Sequence, residues 1–462
     1  MKRTIACLLL LALLFSTLIS CKTPEPEENN DDSSSTENIK TTPTTSSAGL
    51  SYSLNDDGKS YTVTGIGYCK EENIVIDTYN NLPVTHVDSH GFSDCSKIKS
   101  VTLSDCVKHI GIYAFGSCDN LESITIPSNI ETVGDTAFHS TPKLKYNESD
   151  NGCYLGNAQN PYLVFVKPMQ QDIESITINE ETRFIYGDAF VDSSNLKNVD
   201  LGNKLVSIGS AAFSYTQIES IVLPDSLKTL GMYAFLGSRL KEITLSKNLE
   251  GLSGGVFAQT YISTLTIPDS VEYIESTAFD RCTSLSQVNI SENNSHYKTV
   301  DGNILTKDGK KFVLFITANG SDTYTVPDGV VEIMDSAFEE RGGVYNVILP
   351  DSVVRLGDSA FSCCFTLASI KLSKNLKYMG HHVFYNTSLK SIVIPDGVQS
   401  IEESAFWRCS DLQNVTLGKG IKKIVSGAFS ECYNLTDVYY AGSQADWETI
   451  GFNTNATVHF AE

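Results

Sequence analysis

Leu121–Phe138 reads LESITIPSNIETVGDTAF, and the spacing of its apolar residues decides the architecture. Leu121, Ile124 and Ile126 fit a short strand. Ile124 and Ile126 share one face by the two-residue period, Leu121 packs at the strand's entry, and Ser123 and Thr125 point the other way. Pro127 ends the strand because it has no N–H to give to a ladder. Ile130 and Val133 form a second apolar pair. Thr136-Ala137-Phe138 is then expected to make one short helical turn that drives the aromatic ring inward. In Pro224-Asp225, Pro268-Asp269, Pro327-Asp328, Pro350-Asp351 and Pro395-Asp396 the proline is followed by aspartate, which reads as a tight turn.

The closing phenylalanine recurs at fixed intervals. Phe92, Phe115 and Phe138 form one series; Phe190, Phe213, Phe235, Phe257 and Phe279 a second; Phe338, Phe361, Phe384, Phe406 and Phe429 a third, all in steps of 22 or 23. A unit this small cannot bury its own apolar face, so the units must stack along one axis. Stacking places like on like: parallel strands about 4.8 Å apart, a right-handed coil, and the phenylalanines in one continuous aromatic column.

The pattern L-x-x-I-x-[IL]-P-x-x-[VL]-x-x-[IL]-x-x-x-A-F-x-x-C resembles the BspA-like leucine-rich repeat of bacterial surface proteins, over about residues 50–462. The resemblance implies an α/β-class, β-dominated, right-handed solenoid, a horseshoe with a parallel sheet on its concave face. Members of that family are typically cell-surface or secreted proteins, and several are associated with adhesion to host matrix proteins or to other bacteria. It therefore implies a non-enzymatic surface binding protein, an adhesin for a host matrix or bacterial partner protein. A glycan-binding or structural envelope lipoprotein is the alternative.

Two gaps break the period, Phe138 to Phe190 and Phe279 to Phe338. The inserts, about 145–172 and 291–322, share content: YLGNAQNPYLVFVKP (Tyr154–Pro168) and YKTVDGNILTKDGKKFVLFIT (Tyr297–Thr317). Asp301-Gly302 and Asp308-Gly309 are hairpin-turn pairs, so each insert is expected to be a β-hairpin projecting from the stack. Residues 50–91 are read as an N-terminal cap, 50–438 as the repeat solenoid with that cap and both inserts, and 439–462, carrying Trp447, as a C-terminal cap.

Lys2 and Arg3 precede an apolar run from Ile5 to Phe15, the form of a secretory signal over residues 1–20. Leu18-Ile19-Ser20-Cys21 resembles the bacterial lipobox, in which the cysteine is lipidated. The expected location is therefore outside the cytoplasm, with Cys21 anchoring the chain to a bacterial membrane, the outer membrane at the cell surface. Residues 21–49 read as the lipidated cysteine and a disordered tether rich in Pro, Glu, Asp, Ser and Thr. A flexible coil of that length spans roughly 30 Å. With 34 Lys and Arg against 55 Asp and Glu, the formal charge is −21. So acidic a surface repels phosphate backbones, which excludes nucleic acid as a partner.

Six of the 12 cysteines follow the periodic phenylalanine by three: Cys95, Cys118, Cys282, Cys364, Cys409 and Cys432. The same position elsewhere holds Thr141, Ser193, Thr216, Ser238, Thr260 and Thr387, with Arg341 the exception. A column that accepts Cys, Ser or Thr selects a small, mildly polar side chain, so buried free thiols are expected. Disulfides between neighbouring rungs, Cys95 with Cys118 or Cys409 with Cys432, stay open in an exported protein. His86-x-Asp88-x-His90 places three metal-ligand types on one side of an extended segment, and His381-His382 are adjacent; both are read as solvated polar residues. No G-x-S-x-G, H-E-x-x-H or phosphate-cradling glycine loop occurs, so neither enzyme activity nor a cofactor or metal is expected. The outward strand positions are the candidate binding surface: Thr102, Ser123, Thr125, Thr177, Val222, Thr244, Thr266, Asn289, Ile348, Lys371, Val393, Thr416 and Tyr439. Their short hydrogen-bonding side chains, with scattered apolar ones, suit a broad shallow contact with protein or glycan.

Overall fold

The computed structural model describes residues 46–149, 151–317, 320–452 and 454–461. The signal, the lipobox with Cys21 and most of the tether lie outside the described residues. Within the segment read as tether, Ser46 and Ser47 donate backbone hydrogen bonds to Thr78 and Val75.

The chain from Ser46 onward is a β-solenoid. Each rung supplies a strand of three or four residues, a proline or glycine turn, a two-residue strand, and an arch around the periodic phenylalanine. In Leu121–Phe138 most of the expected inward set is buried: Leu121, Ile126, Ile130 and Ala137 are sealed from solvent, Ile124 and Phe138 nearly so, while Val133 is only partly covered. Ser123 and Thr125 face out. The turn closes through the proline carbonyl, which accepts from the N–H three residues on, as in Ile130 to Pro127 and Leu227 to Pro224.

Stacked rungs line up as two series of short parallel sheets. The longer strands make one, as in Asn73–Ile76, Ser100–Leu103 and Ser123–Thr125, in register residue for residue. The two-residue strands make the other, as in Phe184–Ile185, Ser207–Ile208 and Thr229–Leu230.

The arch is a third backbone ladder, and here the expectation of a helical turn needs correcting. Among the described residues only Ser276–Phe279 is a 3-10 turn. Elsewhere the residues two before and two after the phenylalanine adopt left-handed φ, as in Tyr113 and Ser117 around Phe115, or Ser336 and Glu340 around Phe338, except at Phe190, where only Asp188 does. A left-handed residue other than glycine costs roughly 1–2 kcal/mol. What offsets it is pairing along the stack: the N–H groups of Tyr113, Phe115 and Ser117 donate to the carbonyls of Asp135, Ala137 and His139 in the next rung. A continuous right-handed helix would turn these donors back into its own rung.

The phenylalanines stack face to face, with centroids 4.6–6.0 Å apart from Phe338–Phe361 to Phe115–Phe138. The column is not continuous, however. It divides into three stacks at the inserts, as does the apolar core. Phe138 meets Tyr186 instead of Phe190, while Phe165 of the first insert stacks on Phe190 and Phe315 of the second on Phe338. The reason is the shape of the inserts. Each is a three-stranded antiparallel meander: Asn147–Ser149, Gly152–Leu155 and Val164–Pro168, then Tyr297–Val300, Asn303–Thr306 and Lys311–Leu314. The third strand of each pairs in parallel with the next two-residue strand, Phe184–Ile185 or Glu332–Ile333. The inserts are thus built into the sheet and do not merely project from it.

Ser51–Leu54 and Tyr61–Gly65 form an antiparallel pair that leads into Leu82–Val87. At the other end, the helix Gln444–Ile450 takes the place of a two-residue strand and arch. Ser443 and Asp446 form a capping box at its start and Gly451 closes it in left-handed φ. Trp447 packs on Tyr440, and Phe452 meets Phe429 at 5.4 Å. Strand Thr457–Phe460 adds to Asp437–Tyr440 in parallel.

Candidate binding surface

The outward positions of the longer strands fall into two straight rows. Register places Thr102 beside Thr125, Thr177 beside Asp200, Val222 beside Thr244, and Thr266 beside Asn289. Ile348 lies beside Lys371, and Val393, Thr416, Tyr439 and His459 follow one another. Ser123 belongs to the second row with Asn73 and Ser100. All thirteen residues singled out from the sequence therefore lie on one face. Val222 and Val393 are the most open apolar side chains there, 70 % and 64 % exposed, while Ile348 and Thr416 are partly covered.

The rows are knit by short hydrogen bonds between rungs. Ser100 Oγ donates to Asn73 Oδ1 at 2.7 Å and Ser369 Oγ to Asn346 Oδ1 at 2.6 Å. Over the middle rungs the face forms a trough of about 970 Å³, lined by Thr177, Asp200, Val222 and Thr244 with Asn198, Ser220 and Glu242. A second hollow of about 520 Å³ shares Asn151, Thr177 and Asp200 and runs on to Tyr154 and Glu180. Asn198, Asp200, Ser220 and Glu242 were not among the residues drawn from the sequence. Their repeat period marks them as strand positions, and only their register beside Thr177, Val222 and Thr244 puts them in the trough.

One residue before each strand runs a column of alternating charge. Lys99 pairs with Glu72 at 2.5 Å, Lys145 with Glu122 at 2.9 Å, Lys197 with Glu174 at 3.0 Å and Lys241 with Glu219 at 2.9 Å. These pairs are exposed and screened by water, so each adds little to stability. Their larger effect is to neutralise that edge of the face. Past Lys241 the column continues as Ser263, Ser286, Asp322 and Tyr345, and the alternation stops. At the far end Tyr439 stacks on His459 at 4.6 Å, and His459 Nε2 lies 2.7 Å from Asp437 Oδ1, which holds the Asp437 carboxyl below its usual range.

The other side chains noted in the sequence serve the stack. The thiols of Cys118, Cys282, Cys364 and Cys409 each donate to the phenylalanine carbonyl of the preceding rung, at 2.9–3.1 Å. Thr216 and Thr260 cap the phenylalanine of their own rung instead, while the buried hydroxyls of Ser193 and Ser238 have no partner. The described cysteines are all free. His86, Asp88 and His90 do not converge: His86 stacks on His109 at 4.3 Å, whereas left-handed φ turns His90 toward Tyr113 at 5.2 Å. Among the described residues no three His, Cys, Asp or Glu side chains are arranged to hold a metal ion. No helix among them is long and apolar enough to cross a membrane.

The family model for the BspA type leucine rich repeat region matches residues 68–154, 168–298 and 325–458, in six copies. The chain belongs to the BspA-type leucine-rich-repeat family. The same solenoid fold is found in solved structures. A leucine rich cell surface protein from Faecalibacterium prausnitzii is 24% identical, with a TM-score of 0.54 over 87% of this chain and 96% of that one. The pneumococcal vaccine antigen PcpA is 19% identical, with a TM-score of 0.53 over 90% of this chain and 92% of that one. At those identities the likeness speaks for the shared solenoid alone. No curated protein sequence matched the chain.

Proposed function

We propose that this chain is a non-enzymatic binding protein displayed at a bacterial surface, anchored through a lipid on Cys21, that takes a protein partner on the face of its longer strands. Host matrix proteins and surface proteins of other bacteria are the partner class, as for an adhesin. The observation that carries this reading is the trough. It is long and shallow, with exposed Val222 among threonine, serine and asparagine side chains and two carboxylates. Such a lining matches a wide contact whose affinity grows with area and with repetition of weak contacts. It favours protein over glycan, because no aromatic side chain lies in the trough for a sugar ring to stack on. The description of the Faecalibacterium relative as a cell surface protein agrees with display outside the cell.

The experiment is surface plasmon resonance of the Cys21→Ser chain over immobilised fibronectin, laminin, collagen and fibrinogen, with polysaccharide as the contrast. Val222→Arg with Thr244→Arg should reduce protein binding at least tenfold. Binding untouched by that pair would remove the trough from the interface, and binding to polysaccharide alone would favour the glycan-binding or envelope role. Loss of radiolabelled palmitate incorporation in Cys21→Ser checks the anchor. Protease added to intact cells should degrade the displayed protein, and protection would place it inside the envelope.

A further inference from the structure

The two inserts interrupt the stack alike, but only one interruption is filled from within. An ordinary rung closes with an arch. The first insert brings strands without an arch, and the second supplies only the Phe315 N–H, which donates to the Ala337 carbonyl as an arch phenylalanine does, so the rest of a layer is missing between the arches of Phe138 and Phe190 and between those of Phe279 and Phe338. At the second interruption Arg341 stands three residues after Phe338, where other rungs carry Cys, Ser or Thr. It is buried, and its guanidinium donates to the carbonyls of Phe279 and Cys282, both at 3.2 Å. That is the bond a cysteine makes to the preceding rung, extended across the gap. Arg281 and Glu340 pair beside it at 3.0 Å.

At the first interruption the residue in Arg341's position is Ser193. Its side chain is 1 % exposed and its hydroxyl has no partner. The layer stays open as a cleft of about 550 Å³, bounded by His139 on one arch, Ser193 and Asp192 on the other, and Val166 and Met169 of the insert. Asp192 is the counterpart of Glu340, but Ser140 stands where Arg281 would be, and Asp192 accepts from Gln171 at 3.1 Å instead. Asp188 also lines the cleft. Its side chain reaches solvent on one side and protein on the other; that burial, and then the charge of Asp135, push its carboxyl above the ordinary range, with His139 pulling it back. Lys167 reaches the cleft too, with its ammonium over the Tyr146 ring at 5.4 Å.

We propose that this cleft takes an arginine side chain of a protein partner, seated as Arg341 is seated within the chain. By repeat position the carbonyls of Phe138 and Thr141, which flank His139 of the cleft wall in sequence, correspond to those of Phe279 and Cys282 and would accept from the guanidinium. Thr141 already donates to the Phe138 carbonyl, at 2.8 Å, which leaves a second lone pair. Asp192 and Asp188 supply the opposing charge, Ser193 Oγ a further acceptor, and Val166 and Met169 cover the methylene stem. The planar fork of a guanidinium can meet two carbonyls and a carboxylate at once, which a lysine ammonium on the same stem does less well. The cleft is not the trough of the longer strands, so the two readings stand or fall separately.

The probe is a fluorescein-labelled Gly-Gly-Arg-Gly-Gly peptide, with Gln and Lys in place of Arg as controls, measured by fluorescence polarisation on the full chain. The arginine peptide should bind at least tenfold more tightly than the glutamine one, and more tightly than the lysine one. Ser193→Arg should place a guanidinium in the cleft from within, weaken the probe at least tenfold and raise the melting temperature. Asp188→Asn with Asp192→Asn should weaken the probe to a similar degree. Asp105→Asn with Asp119→Asn, exposed and outside the cleft, should not. Should Ser193→Arg fail to fold, the double asparagine variant decides. Equal binding of arginine and glutamine peptides, or arginine binding unchanged in the Asp188/Asp192 variant, would overturn the proposal.

Discussion

The periodic phenylalanine joins burial to geometry. Phe235 is fully enclosed and stacks on both neighbours, Phe213 at 5.4 Å and Phe257 at 6.0 Å. Phe235→Ala leaves a cavity between rigid arches that cannot collapse into it. Urea unfolding should show a loss of about 3–5 kcal/mol. The cysteine column is equally enclosed. Burial pushes the Cys118 thiol up to about 12 and Cys364 higher still. Since the thiolate is the nucleophile, iodoacetamide at pH 8 should leave both unmodified in the folded protein and modify both in guanidinium chloride, as read by mass spectrometry. Labelling of Cys364 in the native state would mean that the arches open. At this scale the sequence was largely readable, because an enclosed side chain must be apolar at every repeat. The left-handed arch residues were not. Tyr113, Asp188, Ala211, Ser359 and Arg408 share no side-chain chemistry, since the next rung's carbonyls select the conformation. Arg341 stood out as an exception without disclosing its reach, which depends on a layer missing from space and not from the chain.

In the second insert the buried side chain of Asn303 helps set the course of the strands. Asn303 is fully enclosed; its Oδ1 accepts from Ile316 and Thr317, and its amide donates to the Thr317 carbonyl at 3.0 Å. Asn303→Ala orphans those groups and should cost roughly 2–4 kcal/mol, with amide exchange accelerating first in Lys311–Leu314. The three antiparallel strands of each insert were half visible. Asp-Gly pairs announced the turns of the second, but the parallel pairing of the third strand with the following rung depends on partners about twenty residues away. The last strand carries a pH-dependent contact. Its His459 lowers the carboxyl of Asp437, so the stabilisation is present above the unfolded value near 3.9 and fades as pH falls through the lower folded one. Exchange at Thr457–Phe460 should rise below about pH 4, and Asp437→Asn should abolish that dependence. The helix Gln444–Ile450 interrupts the repeat, yet Phe452 keeps step 23 residues beyond Phe429. The terminal segment thus retains the repeat's spacing under a different backbone.

For the molecule as a whole, the thirteen outward residues come onto one face because neighbouring long strands pair in register in short runs that follow one another along the stack. The period alone was enough to find that face, but its trough was not legible. Hollows arise from how neighbouring rungs tilt and from the exposed strands beside the first insert, and neither leaves a mark in the spacing of side chains. The same interruptions divide the interior into three apolar clusters, with boundaries near residues 154–184 and 305–316. Were the chain anchored through Cys21 and held by a partner as proposed, it would bear load along its length. Such a core should give way under tension piece by piece, not all at once, each piece paying out on the order of 35–55 nm of chain. Optical tweezers should record three such releases, and a single rupture would mean that the inserts weld the interior together. Yielding in instalments would let the protein absorb a tug while the grip at either end holds.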